Sequence, residues 1–158
     1  MSAVLAELPS GIVPYTSAFM ADVLGLARKM HAESALARIP LSIEKLRAEL
    51  DVAGVNPNVY LRLWVSRGEV VGGLWGMLTR PYWSEDIIAC DRAWFMSADR
   101  RGGVAALRLL RDFEAWAKAG GALWMMPGQT TGVAVDDTKR LFENCGYKTV
   151  GSHFMKEI

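Results

Sequence analysis

The sequence predicts an α/β (α+β) fold with a mixed, mostly antiparallel central sheet flanked by about four helices. Apolar residues recur with helical and strand spacing in the order β-α-α-β-β-β-α-β-α-β. Arg67-Gly68-Glu69 is a tight turn between strand-like runs at 59–67 and 70–79, which predicts an antiparallel hairpin. A helical pattern over residues 102–118 separates two further strands, and such a crossover joins parallel strands. The 158 residues suit one domain, expected to span 1–158.

The first half of the chain adds an edge strand and two helices. Residues 11–15 are interpreted as an edge strand, because Pro14 cannot donate a hydrogen bond inside a sheet. A helix capped by Thr16 or Ser17 is expected to run to about Glu33, and Ser42 caps a second helix to about Leu50. The returning hairpin strand is rich in glycine, which indicates a bulge or the close approach of another backbone or of a ligand. These glycines are Gly72, Gly73 and Gly76.

The second half alternates strands and helices. A strand over residues 87–96 leads into the helix at 102–118, whose apolar residues recur on one face. A short strand at 122–126 follows, stopped by Pro127-Gly128. A last helix from Asp136 or Asp137 to Cys145 and a closing strand over 147–156 complete the prediction.

The composition excludes several classes of protein. Lys and Arg number 18 and Asp and Glu number 17, so electrostatics give no case for nucleic acid as a main partner. No uncharged apolar run approaches ~18 residues, the minimum for a membrane span, so no membrane partner is expected. The first seven residues lack the basic start of a secretory signal. The cysteines, Cys90 and Cys145, form no CxxC pair and indicate reduced thiols in a cytoplasmic protein. With only two histidines, no metal site is expected.

One stretch carries a specific chemical signal, the turn Arg100-Arg101-Gly102-Gly103 between the strand at 87–96 and the helix at 102–118. The start of a helix leaves backbone N–H groups unpaired, and the helix dipole and two arginines add positive charge there. These properties are typical of a phosphate site. The alternative interpretation is an ordinary connection with arginines on its surface.

The same turn resembles the acetyl-CoA motif of the GNAT superfamily of N-acetyltransferases. Residues 100–105 fit the pattern Gln/Arg-x-x-Gly-x-Gly/Ala. Lys139 to Tyr147 resemble the end of the family's last helix, and the order of elements from Gly11 onward matches the family. His31-Ala32-Glu33-Ser34 taken together with Arg101-Gly102-Gly103 also resembles a small subgroup found in bacteriophage genomes.

This resemblance implies acetyl-CoA as cosubstrate, with no metal. The amides of the turn would cradle the pyrophosphate, the end of the preceding strand would pair with the pantetheine arm, and the thioester would enter a wedge between the strands at 87–96 and 122–126. The implied contact residues are Phe95, Met96, Ser97, Arg100, Arg101, Gly102, Gly103, Val104 and Ala105. Among them Gly103 is expected to tolerate a Cβ least, because the ligand comes close to its backbone.

The resemblance leaves the proton transfers open. Family members often use a tyrosine of the last helix as general acid, but Phe142 stands there and has no proton to give. Neither Tyr147 nor Cys145 is assigned in its place. Asp91 lies four residues before Phe95, so alternation along a strand puts both on one face, and Asp91 is the first candidate for general base. Its alternative role is a structural hydrogen bond.

Candidate acceptor-site residues come from two places. His31 and Glu33 lie near the end of the first long helix, which in the family helps to shape the acceptor site. Glu33 is the second catalytic candidate and His31 a candidate substrate contact, and the alternative is a solvated helix end. The loop that holds Tyr82, Trp83 and Glu85 could attract and stack on a cationic amine, or be an ordinary surface loop.

The expected function is therefore acetyl transfer from acetyl-CoA to a primary amine of a small molecule or protein, by direct attack in a ternary complex. A homodimer is expected, as is common in the family. The alternative is a catalytically weak or inactive CoA-binding or structural module, for example a virion or regulatory component, and Phe142 is the feature in its favour. A nucleic-acid-binding domain is disfavoured by the balanced charge.

Overall fold

The computed structural model describes residues 10–158. The expectation that the first seven residues form no secretory signal lies outside the described residues. The helices are α1 (Met20–Glu33), α2 (Ile43–Ala53), α3 (Val104–Ala119) and α4 (Val135–Asn144), and the strands are β1 (Gly11–Pro14), β2 (Val59–Ser66), β3 (Glu69–Thr79), β4 (Ile88–Met96) and β5 (Trp124–Met125). Single 3₁₀ turns, Ser17–Phe19 and Ala98–Arg100, precede α1 and α3.

The five strands form one sheet in the order β1-β2-β3-β4-β5. Neighbours from β1 to β4 are antiparallel, and β5 is parallel to β4. The fold class is confirmed, with four α-helices around a mostly antiparallel sheet. The prediction that β1 is an edge strand is also confirmed, and Pro14 ends it opposite Arg62.

The sheet has a hydrophobic core on each face. On one face, Leu24 of α1 and Leu50 of α2 pack with Leu61 and Leu63 of β2. On the other face, Leu109 and Phe113 of α3 pack with Tyr60 and Leu74. Tyr60 of β2 and Leu61 beside it therefore serve opposite cores, as alternation along a strand requires.

Local signals explain most element boundaries. The Ser42 hydroxyl accepts a hydrogen bond from the Lys45 amide at 3.2 Å and caps α2, as predicted. The β2–β3 turn places Arg67 and Gly68 at positive φ, 52° and 79°, the conformation that a two-residue hairpin favours. Thr16, in contrast, makes no capping hydrogen bond, and the 3₁₀ turn intervenes before α1 begins at Met20.

The glycines of β3 lie where neighbouring side chains come close, and the predicted bulge is present at Val71, just before Gly72. A Cβ on Gly72 would meet the Met96 side chain, and a Cβ on Gly76 would meet the Phe113 ring of α3. Bulky side chains from β4 and α3 therefore fill the space that these glycines leave, and this fixes α3 close to the sheet.

The predicted last strand over 147–156 is wrong. After Gly146 the chain runs irregularly to Ile158, and Val150 and Phe154 are almost fully exposed. A strand needs a partner edge, and β5 offers only Trp124 and Met125. Pro127, which lacks an N–H group, stops that edge immediately.

No helix in residues 10–158 is long and apolar enough to cross a membrane.

Candidate functional site

Strand β4 has one edge at which only two of its nine residues are paired. It pairs with β3 from Ile88 to Met96, whereas β5 pairs only with Ile88 and Ala89. The last hydrogen bond between the two parallel strands runs from the Met126 amide to the Ala89 carbonyl, at 2.7 Å. Beyond it β4 and β5 separate, and in the described part of the chain no strand covers the β4 edge between them. We call this opening the wedge.

A β-bulge lies in β4 where the wedge opens. Gly76 of β3 is opposite Asp91 and its neighbour Trp75 is opposite Ala93, so Arg92 is one residue extra on β4. An extra residue exchanges the two faces of a strand. Asp91 therefore shares the face of Gly76, which packs on α3, whereas Phe95 belongs to the core beneath α1 and α2.

The prediction that Asp91 and Phe95 share a face is thus wrong, because strict alternation does not hold across the bulge.

The bulge also decides which backbone groups reach the wedge. Ala89 directs its carbonyl to β5, while the Ser97 amide donates to Val71 of β3 at 2.8 Å. Since alternate residues point to opposite edges, Phe95 and Ser97 pair with β3, and Trp94 and Met96 present their backbone to the wedge.

The Asp91 carboxylate spans the wedge. Its Oδ1 accepts a hydrogen bond from the Gly128 amide, just after β5, at 2.6 Å. Burial raises the pKa of this carboxyl above its ordinary value, and hydrogen bonds from the Gly128 amide and from its own amide partly oppose the rise. Asp91 consequently holds a proton more readily than an exposed aspartate does.

The turn before α3 has the geometry of an anion site. Gly102 has a φ of +80°, and Gly103 is the extended N-cap residue of α3. Among the described residues, no side chain caps α3, so the amides at its start have no side-chain partner. Val104 is exposed beside them and Ala105 is buried. The Arg100 side chain pairs with Asp99 at 3.3 Å and is partly exposed.

Arg101 joins this turn to the end of α1. Its NH2 group pairs with Glu33 Oε1 at 2.8 Å, and its Nε donates to the Met96 carbonyl at 3.0 Å. The guanidinium also lies 5.5 Å from the centre of the Phe95 ring. Glu33 therefore has a cationic partner already, and the two segments that carry the subgroup resemblance are in direct contact.

A partly open cavity of about 290 Å³ lies between α1, α2 and the sheet. His31 lines it, and His31 Nε2 donates to the Ile39 carbonyl at 2.6 Å. The residues Ala93 and Phe95 of β4 line its floor and Thr131, from the loop after β5, lies at its side. The Thr131 carbonyl accepts a hydrogen bond from the Ala35 amide at 2.7 Å, which ties that loop to the end of α1.

The region expected to supply a general acid holds packed aromatic rings. The Phe142 ring of α4 lies 5.5 Å from the Trp94 ring and 5.3 Å from the Tyr147 ring. The Tyr147 hydroxyl donates to Glu114 of α3 at 2.8 Å, and burial together with this hydrogen bond raises its pKa. Tyr147 is thus held by α3, and Cys145 is a half-buried free thiol.

The loop with Tyr82, Trp83 and Glu85 is not brought to the turn. It precedes β4, whereas the turn follows β4, and a nine-residue strand is about 30 Å long. Both rings are exposed and pack edge to face at 4.7 Å, and the Glu85 carbonyl accepts a hydrogen bond from Arg80. The structure therefore brings His31, Glu33 and the turn to one end of the sheet and leaves this loop at the other. Asp91 lies between them, in the middle of β4.

Three residues of the site had no role in the sequence analysis: Arg92 at the bulge, Gly128, which bonds Asp91, and Thr131. The only signal for the last two is their position in the loop after a short strand. Within residues 10–158 no cluster of three or more His, Cys, Asp or Glu side chains could hold a metal ion.

Comparisons with known proteins give matches in structure alone. No protein-family model matches the chain, and no curated protein matches its sequence. The structure is similar to the aminoglycoside 6'-N-acetyltransferase of Acinetobacter haemolyticus, with a TM-score of 0.71 and 16% identity over 94% of this chain and 99% of that one. It is also similar to an acetyltransferase of Trypanosoma brucei, with a TM-score of 0.71 and 12% identity over 95% of this chain and 100% of that one. The chain has the GNAT acetyltransferase fold.

A third structure with the GNAT fold carries a CoA derivative. The aminoglycoside N-acetyltransferase AAC(6')-Iy, in complex with a bisubstrate analogue made of CoA and an acetylated neamine, has a TM-score of 0.73 and 10% identity over 95% of this chain and 98% of that one. At these identities the comparison establishes the fold of this chain.

Proposed function

We propose that this protein is an N-acetyltransferase that moves the acetyl group of acetyl-CoA to a primary amine. The observation that carries the proposal is the continuity of two open backbone surfaces. The uncovered edge of β4 leads directly into the uncapped start of α3. A long ligand with amide groups at one end and a diphosphate at the other matches both.

In this arrangement the amides from Arg101 to Ala105 bind the pyrophosphate, with Arg100 at the edge of the same turn. The backbone of Trp94 and Met96 pairs with the pantetheine arm. The Met96 carbonyl, which Arg101 holds in this structure, must be shared or released. Bound in this way, the cosubstrate supplies a thioester carbonyl at the bulge of β4, beside the cavity beneath α1 and α2.

The reaction then proceeds by direct attack in a ternary complex. The amine nitrogen bonds to the thioester carbonyl carbon, the carbon–sulfur bond breaks with its electron pair going to sulfur, and one amine proton ends on the thiol. Thiols have pKa values near ~8.5, so the thiolate leaves without a strong acid, which accommodates Phe142 in place of a tyrosine.

Asp91 is the proposed general base. Its carboxylate lies in the wedge itself, and its raised pKa brings it nearer to that of an effective base at neutral pH. To accept the proton it has to give up the hydrogen bond from Gly128 or use its second oxygen. Glu33 is better placed to position the turn through Arg101 than to accept a proton.

Isothermal titration with CoA tests the cofactor half of the proposal. Wild-type protein is expected to bind, and Gly103→Glu is expected to lose binding because a carboxylate side chain would meet the diphosphate. The control is Gly151→Glu, the same substitution in the irregular tail, where a Cβ meets nothing within 4 Å. Equal CoA affinity of the two variants, or no affinity in the wild type, would overturn the assignment.

A second candidate function is CoA binding without transfer. The observation in its favour is the Trp94–Phe142–Tyr147 cluster, in which Tyr147 is bonded to Glu114 and no hydroxyl stands at the expected position. CoA release measured over a panel of amines separates the candidates, since binding without release on any amine supports the second.

We also propose that the protein is a homodimer. The outer edge of β5 is the end of the sheet, and Leu123 and Trp124 beside it are exposed. The irregular tail adds the exposed side chains of Val150 and Phe154. Exposed apolar side chains of this size are common where two proteins meet, and they support the proposal.

A further inference from the structure

We propose that the cavity beneath α1 and α2 binds the hydrocarbon part of the acceptor, so that the acceptor is a primary amine with an aliphatic or aromatic side chain rather than a polycationic amine. The inference rests on the proposed function and names its substrate class. We call this space of about 290 Å³ the acceptor cavity. Its volume is close to ~300 Å³, where the range of small-molecule sites begins.

Most side chains that line the acceptor cavity are apolar, and the polar ones are His31, Ser34, Arg92 and Thr131. Helices α1 and α2 and the loop between them contribute aliphatic side chains, and the sheet contributes leucines and two aromatic rings. These residues are Val23, Leu26, Ala27, Met30, Leu36, Leu41, Leu46, Leu50, Leu61, Leu63, Trp75 and Phe95. A hydrocarbon group that enters loses contact with water at every wall, which favours binding.

The charges around the cavity argue against a polycation. Arg92, at the bulge, is its one permanently charged lining residue. Arg92 lies 5.0 Å from the centre of the Trp75 ring and pairs with Glu49 of α2 at 3.1 Å. No Asp or Glu side chain of residues 10–158 lines the cavity, and the Glu49 carboxylate is already paired with Arg92. An additional ammonium group would lose its water without gaining a partner, and that is costly.

The cavity also lies where the acceptor has to be. Ala93 and Arg92, the residues of the bulge, line it, and the wedge opens at the same bulge. An amine whose side chain fills the cavity thus keeps its nitrogen at the β4 edge. A second cavity of about 330 Å³ shares Leu36, Leu41 and Leu46 with the first, so the space extends toward the loop between α1 and α2 for longer chains. Ser42, Lys45 and Glu49 also line this second cavity.

Burial of the acceptor has a chemical consequence. An ammonium next to apolar walls and a guanidinium loses its proton more easily than in water, because both desolvation and the like charge disfavour the cation. The neutral amine is the form that attacks a thioester. The acceptor cavity therefore supplies part of the deprotonation that the reaction requires.

The first test uses wild-type protein with a series of n-alkylamines from ethylamine to hexylamine, in the presence of saturating CoA. Binding measured by calorimetry is expected to strengthen about fourfold per added methylene, and phenethylamine is expected to bind while spermidine does not. A flat series, or preference for spermidine, would overturn the proposal.

The second test fills the cavity. Ala27→Leu projects a larger side chain into it, and Ala21→Leu is the same substitution on an exposed position of the same helix. Two quantities are measured with phenethylamine: kcat/KM for CoA release, and the affinity of the amine for the CoA complex. Both are expected to fall at least about tenfold in Ala27→Leu and to stay unchanged in Ala21→Leu. Unchanged acceptance in both variants would contradict the proposal.

Two controls keep this result interpretable. CoA affinity measured alone should be the same in both variants, so that loss of the amine with intact CoA binding concerns the acceptor and not the proposed function. Hexanoyl-CoA and acetyl-CoA are compared in parallel with the same acceptor. If Ala27→Leu discriminates between these two thioesters but not between amines, the cavity takes the acyl chain and the proposal is wrong.

Discussion

Gly102 and Gly103 are adjacent in the turn before α3, but only Gly102 has a backbone conformation that favours glycine. Gly102 has a φ of +80°, which an L-residue adopts at a cost of roughly 1–2 kcal/mol. Gly103 has φ −91° and ψ −176°, and a Cβ there would meet only the Arg100 carbonyl at 3.9 Å. The expectation that Gly103 tolerates a Cβ least thus has no basis in the unliganded fold, where Gly102 is the constrained position.

This difference predicts opposite results for two alanine substitutions. Gly102→Ala is expected to lower the free energy of unfolding by about 1–2 kcal/mol. Gly103→Ala is expected to leave it nearly unchanged and to weaken CoA binding, because only a ligand lies close to that Cβ. Chemical denaturation and calorimetry with CoA measure the two quantities. A Gly103→Ala protein as unstable as Gly102→Ala would contradict the prediction.

Asp91 predicts a pH dependence of stability. Its pKa in the folded protein is above its ordinary value because of burial, so the folded state binds this proton more tightly than the unfolded state. The contribution of Asp91 to the free energy of unfolding is therefore greatest at acidic pH and falls as the pH rises from about 4 through the raised pKa. Urea denaturation across this range measures it.

The matched variant is Asp91→Asn, whose side-chain oxygen can still accept the hydrogen bond from Gly128. In this variant the fall with rising pH is expected to be smaller than in the wild type. Cys90 next to Asp91 also has a raised pKa, but a thiol titrates outside this pH range. Parallel pH profiles of the two proteins would show that burial does not perturb Asp91.

At the scale of the elements, the sequence predicted those helices and turns that depend on residues close together in the chain. The apolar face of α3 and the cap of α2 at Ser42 follow from residues within one or two turns of a helix. The hairpin of β2 and β3 follows from two residues, Arg67 and Gly68. Each of these signals lies inside the element that it defines, so each could be predicted from the sequence.

The bulge at Arg92 and the missing last strand depend on distant partners. Nothing in Asp91-Arg92-Ala93 differs from an ordinary strand, and the extra residue is visible only in the register with β3. The bulge moved Asp91 to the other face and exchanged the backbone groups that reach the wedge. Likewise, the residues after Gly146 have strand-forming side chains, but β5 is too short to pair with them. The candidate turn could be predicted because its residues are consecutive in the sequence. The position of Asp91 in the wedge could not be predicted, because it depends on the register of β4 with β3.

The contact between Arg101 and Glu33 predicts a measurable coupling between α1 and the turn before α3. The pair is about one-third exposed, with 28% and 34% of the two side chains accessible, so its coupling free energy is expected to be about 1 kcal/mol. A double-mutant cycle with Arg101→Met and Glu33→Gln measures it from denaturation. If Glu33 acts through Arg101, Glu33→Gln should weaken CoA binding without changing the pH profile of CoA release.

The opposite result would give Glu33 a catalytic role. Loss of the acidic limb of the pH profile in Glu33→Gln, with CoA affinity unchanged, would mean that Glu33 removes the proton. Asp91→Asn provides the comparison, since the proposed base should be the residue whose loss changes that limb.

At the scale of the whole molecule, the apolar surface at the β5 edge and the tail predicts self-association. Trp124 is 71% exposed on β5 and Trp83 is 70% exposed in the loop before β4, so the same substitution can be compared at equal exposure on two surfaces. Trp124→Gln is expected to weaken the dimer by about 2 kcal/mol, about thirtyfold in Kd, because a tryptophan at an interface contributes that much or more. Trp83→Gln is expected to leave it unchanged. Sedimentation equilibrium over a wide range of protein concentration measures both. A monomeric wild type would refute the dimer, and equal weakening by both variants would contradict the assignment of the interface to the β5 edge.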